Sequence, residues 1–330
     1  MFQSPALYIP PTVANNNEKN HTTMTNNWTS IFGELNLKKD ELTFKGGLVD
    51  YEKSQKGAAI ANFICDQYFG GGKISAEITF RKVEYPTACE IIIYYDPETK
   101  NFLSVGLGGA GSMYSIRSFT SNWTNHSLTG EYKNLKANKP YKVEVELKGS
   151  RTILMVDGII VLSTNLPYNI PMSQVGLWCQ SESDIIIKNF TVKKVKPKAF
   201  VVMQFTSPYN ELYEDVIKKV CEDYDLNVIR ADETYGPGLI IADIVKQIYE
   251  SRLIIAEISP SNPNVFYEVG YAHALNKPTI LIAEKGTKLP FDVSPFRTLF
   301  YENTIAGKKK IEEGFKKHIS SVLLDKEWNS

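Results

Sequence analysis

The sequence predicts two domains of different class, an all-β antiparallel sandwich followed by a doubly wound α/β parallel sheet. Three observations carry this expectation. At 330 residues the chain exceeds one ordinary core, since single domains typically hold roughly 100 to 200 residues. From Trp28 to about Lys194, short apolar runs alternate with polar residues between turn formers, and no amphipathic helix interrupts them. From Ala199 onward, apolar runs without alternation are separated by segments with helical spacing.

Residues 1–27 are polar, rich in Asn and Thr and aperiodic, and are expected to form a disordered arm. The sandwich is expected over residues 28–195. Ile74, Ala76, Ile78 and Phe80 alternate with polar partners, as do Val143, Val145 and Leu147, which is the period of a strand with one buried face. Further runs span Glu90 to Tyr95, Phe102 to Leu107, Met113 to Phe119, Ile153 to Leu162, Gln174 to Cys179 and Asp184 to Val195. Asp96-Pro97, Gly108-Gly109, Lys148-Gly149-Ser150 and Asp157-Gly158 punctuate them, the last as a hairpin turn. Short strands in this rhythm pack as two antiparallel sheets, a sandwich or jelly roll.

At residues 193–198, Lys-Lys-Val-Lys-Pro-Lys, composition switches abruptly and predicts a basic linker into a second domain over residues 196–330. Ala199 to Met203 is apolar throughout, as in a parallel strand covered on both faces. The helix expected over Tyr209 to Asp223 places Leu212, Val216 and Val220 at helical spacing. Strand Leu226 to Ile229, helix Leu239 to Glu250, strand Leu253 to Ile258 and helix Pro263 to Leu275 follow. Strands Thr279 to Ala283 and Thr298 to Tyr301 and helix Lys308 to Leu323 complete the series. Such alternation specifies a flavodoxin-like parallel sheet wrapped by helices through right-handed crossovers.

Bulk properties exclude several classes. With 37 basic and 37 acidic side chains the net charge is zero, so neither nucleic acid nor an anionic membrane is an expected partner. Cys65, Cys89, Cys179 and Cys221 form no C-x-x-C pair and the chain has four histidines, so no disulfide framework or metal site is expected and a reducing cytoplasm fits. The opening apolar stretch Ala6-Leu-Tyr-Ile-Pro-Pro is short and broken by proline, a poor signal peptide. No stretch approaches the roughly 20 apolar residues that span a bilayer.

Open parallel sheets bind ligands beyond the carboxyl ends of their strands, so three loops carry the candidate site. Gln204-Phe-Thr-Ser-Pro208 offers hydroxyls and backbone N–H groups at a helix start, suited to phosphate or ribose oxygens or to plain capping. Arg230-Ala-Asp-Glu-Thr-Tyr-Gly-Pro-Gly238 brings Arg230 and Asp232 off a strand end, with Gly236 and Gly238 permitting close backbone approach. Its other reading is a turn with a surface ion pair. In the third, Asn262 caps a helix beginning at Pro263, and Glu268 follows less than two turns in, near the positive end of the dipole, where a carboxylate is expected to stay ionised. Gly270, Ala272 and Ala274 are small enough to seat this helix closely on the sheet, and Phe266, Tyr267 and Tyr271 predict an aromatic surround.

Phe200-Val-Val-Met-Gln-Phe205, Arg230-Ala-Asp232, Asn262-Pro-Asn-Val-Phe-Tyr-Glu-Val-Gly-Tyr-Ala-His-Ala-Leu275 and Lys277-Pro-Thr-Ile-Leu-Ile282 together resemble the nucleoside 2-deoxyribosyltransferase-like and TIR-like domains of bacteria. The resemblance covers about residues 198–325. It implies that Glu268 is the catalytic carboxylate at the ribose anomeric carbon, that Asp232 or Glu257 is the acid or ribose-binding group, and that Gln204, Phe205, Ser207, Arg230, Gly236, Gly238, Asn264 and Tyr267 bind nucleotide. Family members often carry aspartate near the end of the preceding strand; this chain has Glu257 there. In the first domain, Val156-Asp-Gly158, Val175-Gly-Leu-Trp178 and Ile187-Lys-Asn-Phe-Thr-Val192 resemble the concanavalin-like (laminin-G-like) lectin and glucanase sandwich. Glu77, Glu90, Glu144 and Glu146 stand singly on alternating strand positions and are expected in solvent, which leaves no glucanase pair. Trp123, Trp178, Tyr114 and Tyr132 are candidates for stacking on a sugar or for core packing. A binding or oligomerising module is the expectation, with a carbohydrate or protein ligand.

Leaving-group chemistry narrows the substrate. Nicotinamide departs from NAD as a neutral molecule, so one anion that stabilises the sugar cation suffices and no acid is needed. The leading expectation is an NAD or nucleotide N-glycosidase, with NAD as substrate and no cofactor, releasing ADP-ribose or a cyclised form. A deoxyribosyltransferase or deoxynucleotide hydrolase, which also needs an acid, is the second; a non-catalytic nucleotide-signal sensor is the third. A sandwich joined to a TIR-like effector resembles bacterial antiphage defence proteins, which implies a homo-oligomer in the active state.

Overall fold

The computed structural model describes residues 27–38, 40–51, 55–233 and 240–324. Apart from Asn27, the expected N-terminal arm lies outside them. The first domain contains β1 (Trp28–Phe32), β2 (Leu35–Lys38), β3 (Glu41–Phe44), β4 (Leu48–Tyr51), β5 (Gln55–Phe69), β6 (Gly72–Phe80), β7 (Ala88–Tyr95) and β8 (Phe102–Leu107). It continues with β9 (Ser112–Phe119), β10 (Trp123–Glu131), β11 (Pro140–Lys148), β12 (Arg151–Val156), β13 (Ile159–Asn165), β14 (Ser173–Ser181) and β15 (Ile185–Lys194). An eight-stranded sheet of order β1-β5-β14-β7-β8-β9-β10, with β4 also on β5, faces a seven-stranded sheet of order β13-β12-β11-β6-β15-β3-β2. All these pairings are antiparallel, so the domain is the expected sandwich.

Alternation decides which side chains meet. Ile74, Ala76, Ile78 and Phe80 of β6 and Val143, Val145 and Leu147 of β11 turn inward against Phe63, Ile91, Val105 and Leu177 of the facing sheet. Asp157 and Gly158 both adopt left-handed φ, +52° and +82°, and close the two-residue β12–β13 hairpin. β1 to β5 and β10 carry no run that periodicity picks out, and two of these strands show why. β5 is buried on both faces from Ala61 to Cys65, which erases its alternation, and β10 is a mostly exposed edge strand whose residues are polar on both sides.

Glu90 corrects the expectation of a solvated position: it is 0% exposed. It projects from the face of its sheet away from the core, and that face is covered as well. The Arg117 guanidinium donates to its Oε2 at 2.6 Å and its Oε1 at 2.9 Å, Ser104 Oγ donates to Oε2 at 2.9 Å, and Ser115 Oγ donates to Oε1. Arg117 lies 3.7 Å from the Trp123 ring centroid and 4.9 Å from that of Trp178, and the two indoles meet edge to face at 5.1 Å. Trp178 is buried, and Tyr114 and Tyr132 pack against the core. All four aromatics thus pack within the sandwich, the two indoles against Arg117.

In the second domain, β16 (Lys198–Val202), β17 (Asn227–Arg230), β18 (Leu253–Glu257), β19 (Thr279–Glu284) and β20 (Thr298–Tyr301) pair in parallel in the order β17-β16-β18-β19-β20. Counted within the domain this is 2-1-3-4-5, the flavodoxin-like doubly wound order. One face carries α1 (Tyr209–Leu212), α2 (Lys218–Asp223) and α5 (Ile305–Leu324), whose Val220, Ile311 and Phe315 pack on Ala199, Val201 and Ile255. The other carries α3 (Ile240–Glu250) and α4 (Pro263–Ala274), whose Ile248, Val265 and Val269 pack on Phe200, Val202 and Ile254. Tyr213–Ile217 forms a π-helical turn between α1 and α2. The basic stretch expected as a linker is mostly strand: Lys193 and Lys194 pair in register with Lys73 and Gly72, and Lys198 begins β16. Only residues 195–197 connect the domains.

Removing one partner from the buried Glu90–Arg117 pair strands the other charge. Glu90→Ala is expected to cost about 3–5 kcal/mol in urea unfolding, whereas the combined Glu90→Leu and Arg117→Met replacement recovers most of that loss.

Candidate active site at the carboxyl edge of the parallel sheet

The strand order reverses direction between β16 and β18, so the chain leaves β16 toward α1 on one face and leaves β18 toward α4 on the other. A crevice opens where such connections diverge. α4 starts as expected: the Asn262 side chain accepts from the Asn264 backbone N–H at 3.0 Å and Pro263 takes the first helical position.

Glu268 lies in this helix and is 7% exposed. Among the described residues it has neither a hydrogen-bond partner nor an ion-pair partner. Burial alone pushes its carboxyl up to about 7. The expectation of a permanently ionised group is thereby corrected. The helix dipole acts mainly over the first turn, Glu268 is the sixth residue, and desolvation of the charged form wins. Of the small residues, Ala272 is buried on the sheet while Gly270 and Ala274 face outward, and a Cβ on Gly270 would meet nothing within 4 Å. Phe266 and Tyr271 are partly buried beside Val265 and Val269, whereas Tyr267 is 57% exposed and Asn264 is exposed.

The first two loops converge on one cluster. Arg230 donates to Asp232 through Nε at 2.6 Å and Nη2 at 2.8 Å, and to Asn210 Oδ1 through Nη1 at 2.9 Å. Its guanidinium lies 4.5 Å from the Tyr213 ring centroid and 5.4 Å from that of Phe205, which is 43% exposed. Both Asp232 oxygens are engaged, so Asp232 is an ion-pair partner of Arg230 rather than a free acid. Gln204 Nε2 donates to Thr206 Oγ1 at 2.9 Å and Ser207 Oγ donates to Glu211 Oε1 at 2.9 Å, so both tie their own loop. Gly236 and Gly238 lie outside the described residues.

Glu257 does not join Glu268. Alternation along β18 puts it on the face of Leu253 and Ile255, the α1, α2 and α5 side, whereas Glu268 belongs to the helix layer of the opposite face. It is fully buried there, accepts from Tyr301 Oη at 3.2 Å and the Ser259 backbone N–H at 3.1 Å, and also accepts from Ser259 Oγ. Burial pushes its carboxyl up, and its Oε2 has no partner among the described residues. The candidate acid on the preceding strand is therefore a buried network member turned away from α4. Ser259 and Tyr301, which hold it, escaped the sequence reading; a hydroxyl two residues beyond a strand-end acid was the available signal. Among the described residues no group of three or more His, Cys, Asp or Glu is placed to hold a metal ion, and no helix is long and apolar enough to cross a membrane.

No protein-family model and no curated protein matches the chain. Among solved structures it is similar to the carbohydrate-binding module CBM66 from Bacillus subtilis, at 15% identity and a TM-score of 0.41, over 50% of this chain and 93% of that one. It is also similar to a beta-glucanase of Bacillus licheniformis, at 12% identity and a TM-score of 0.34, over 53% and 95%. A protein with a galectin-like fold from Bacillus subtilis shows 13% identity and a TM-score of 0.34, over 46% and 88%. These are likenesses of the β-sandwich half.

The raised Glu268 carboxyl fixes the sign of a stability effect. The folded chain keeps this proton up to about pH 7 while an unfolded chain releases it near 4.5, so native stability falls as pH rises between those values. Glu268→Gln does not titrate and is expected to be the more stable chain above pH 7, by on the order of 3 kcal/mol. Below pH 4.5 the difference vanishes. Unfolding midpoints of both chains across this range measure it.

Proposed function

We propose that the α/β domain is an N-glycosidase acting on NAD or a related nucleotide, with Glu268 as the reactive carboxylate. The observation that carries this reading is a buried carboxyl, without a partner among the described residues, on a helix at the strand-order reversal. Such a group is costly to the fold, and it gains a partner when a cation enters. The positively charged nicotinamide riboside end of NAD supplies one.

The chemistry follows from charge. Breaking the bond between C1′ and the ring nitrogen sends its electron pair to nitrogen, releases neutral nicotinamide and leaves an oxocarbenium-like sugar. Ionised Glu268 stabilises that cation in a site where water screens it weakly. Water then adds to C1′ and Glu268 accepts its proton, a task suited to a carboxylate whose affinity for protons is matched to neutral pH. The Arg230 cluster with exposed Phe205 is the proposed nucleotide-holding wall, with Gln204 and Ser207 lining the adjacent loop.

A deoxyribosyltransferase or deoxynucleotide hydrolase is the weaker reading, because neutral bases require an acid and both Asp232 and Glu257 are committed elsewhere. The sandwich is the proposed binding or assembly module, for a carbohydrate or protein ligand, and the whole chain an effector of bacterial antiphage defence that acts as a homo-oligomer in the cytoplasm.

Incubation of the purified protein with NAD and, separately, with deoxynucleosides distinguishes these readings by the base released, followed by mass spectrometry. Nicotinamide release is expected, with kcat/KM falling about tenfold per pH unit below about 7, since the ionised carboxylate is the active form. Glu268→Gln is expected to lower turnover by about a hundredfold to a thousandfold while nucleotide binding persists. Release of a purine or pyrimidine from deoxynucleosides alone selects the second reading, and binding without turnover in the parent protein selects a sensor.

A further inference from the structure

The two domains meet on a built polar joint. Gly149, at the β11–β12 turn with a φ of +57°, lies against the end of α3, where a Cβ would come within 2.5 Å of the Tyr249 carbonyl oxygen. The Ser150 backbone N–H donates to that same oxygen at 3.1 Å. Asn169 Nδ2 donates to the Arg252 carbonyl at 3.0 Å, Arg252 Nη1 reaches the Ile170 carbonyl at 3.5 Å, and Arg151 pairs with Glu250 at 3.5 Å.

Lys277 sits at the centre of this joint and is 4% exposed. Its Nζ donates to Ser150 Oγ at 3.0 Å and Asn169 Oδ1 at 3.0 Å in the sandwich, and to the Tyr249 carbonyl at 2.8 Å and the Ser251 carbonyl at 2.9 Å at the end of α3. Four acceptors from two domains thus share the three hydrogens of one ammonium. Among the described residues no carboxylate pairs with it, and Glu250 of the same joint is held by Arg151 and Lys198. Arg252, the other cation at the end of α3, is itself buried. Burial pulls the Lys277 ammonium down to about 7, so its full charge is an unfavourable element that the four acceptors offset.

The joint is mechanically continuous with the candidate site. The Lys277 backbone N–H donates to the Ala272 carbonyl at 3.0 Å, which ties it to the last turn of α4, and Tyr271 of α4 meets Tyr249 of α3 edge to face at 6.5 Å. Ala272 is four residues from Glu268, about one helical turn or 6 Å along the axis.

We infer that Lys277 is a positioning residue: by clamping the ends of α4 and α3 to the sandwich, it sets how deeply Glu268 is buried and carries a change of state in the sandwich to that carboxyl. The functional consequence rests on the reading of Glu268 as the reactive group, but the burial of Glu268 is measured without turnover.

The test uses the full chain, opened from either side. Gly149→Ala and Asn169→Ala weaken the joint from the sandwich, and Lys277→Met removes the ammonium at similar volume. Hydrogen exchange at the Ser150 amide reports whether the joint is open. The pH at which the growing stability advantage of Glu268→Gln levels off, measured by thermal unfolding in each background, gives the titration midpoint of Glu268 in the folded chain. The expected result is faster Ser150 exchange in every joint variant, with the midpoint moving toward the ordinary carboxylate value by about one pH unit or more. Continued protection of Ser150 in Lys277→Met would overturn the clamp, and an unmoved midpoint in a chain whose joint has opened would overturn the coupling. Failure of the parent chain to turn over NAD would sink the proposed activity and leave these two readouts intact.

Discussion

A carboxyl group largely shielded from water, and with no partner among the described residues, is the constraint that sets the chemistry at the carboxyl edge of the second domain's sheet. Glu268 is held in that condition by the way α4 is seated. Asn262 and Pro263 fix where the helix begins, and Val265, Val269 and Ala272 press it onto Phe200, Val202 and Ile254. The strand order places this helix at the reversal between β16 and β18, where the connections leave to opposite faces of the sheet.

The other acids show the contrast. Glu90 is more deeply buried than Glu268, yet Arg117, Ser104 and Ser115 satisfy it completely, and two indoles cover the pair. Asp232 is closed by a two-pronged bond from Arg230. Glu257 keeps one partnerless oxygen, but it faces the far layer, where Tyr301 and Ser259 hold it. Burial therefore has three outcomes in one molecule, and only at Glu268 does it combine with the reversal of strand order and the absence of any described partner.

Periodicity made the fold class legible because the two domains differ in it. The alternation from Ile74 to Phe80 and the uniform run from Ala199 to Met203 each bury what their period implies. It failed where a second layer of contacts intervened. β5 is covered on both faces and shows no alternation, and Glu90 occupies an outward position that is nonetheless sealed, so polarity at alternate positions did not mean solvent there. At the site, Asn262 and Pro263 as the start of α4 were readable from local capping rules, whereas the raised carboxyl of Glu268 was not, because it follows from burial. The opposite facing of Glu257 follows from strand parity, and the joint formed by Lys277, Ser150 and Asn169 depends on how two domains dock, which no local pattern encodes.

The central claim is that Glu268 is a largely desolvated carboxyl with no partner among the described residues, and its own titration tests this most directly. Carbon-13 NMR of the side-chain carboxyls, with the Glu268 resonance assigned by its loss in Glu268→Gln, follows the group across the pH range. The account predicts a midpoint of about 7. A midpoint near the ordinary glutamate value of about 4.3 would contradict it, because the group would then be solvated or paired.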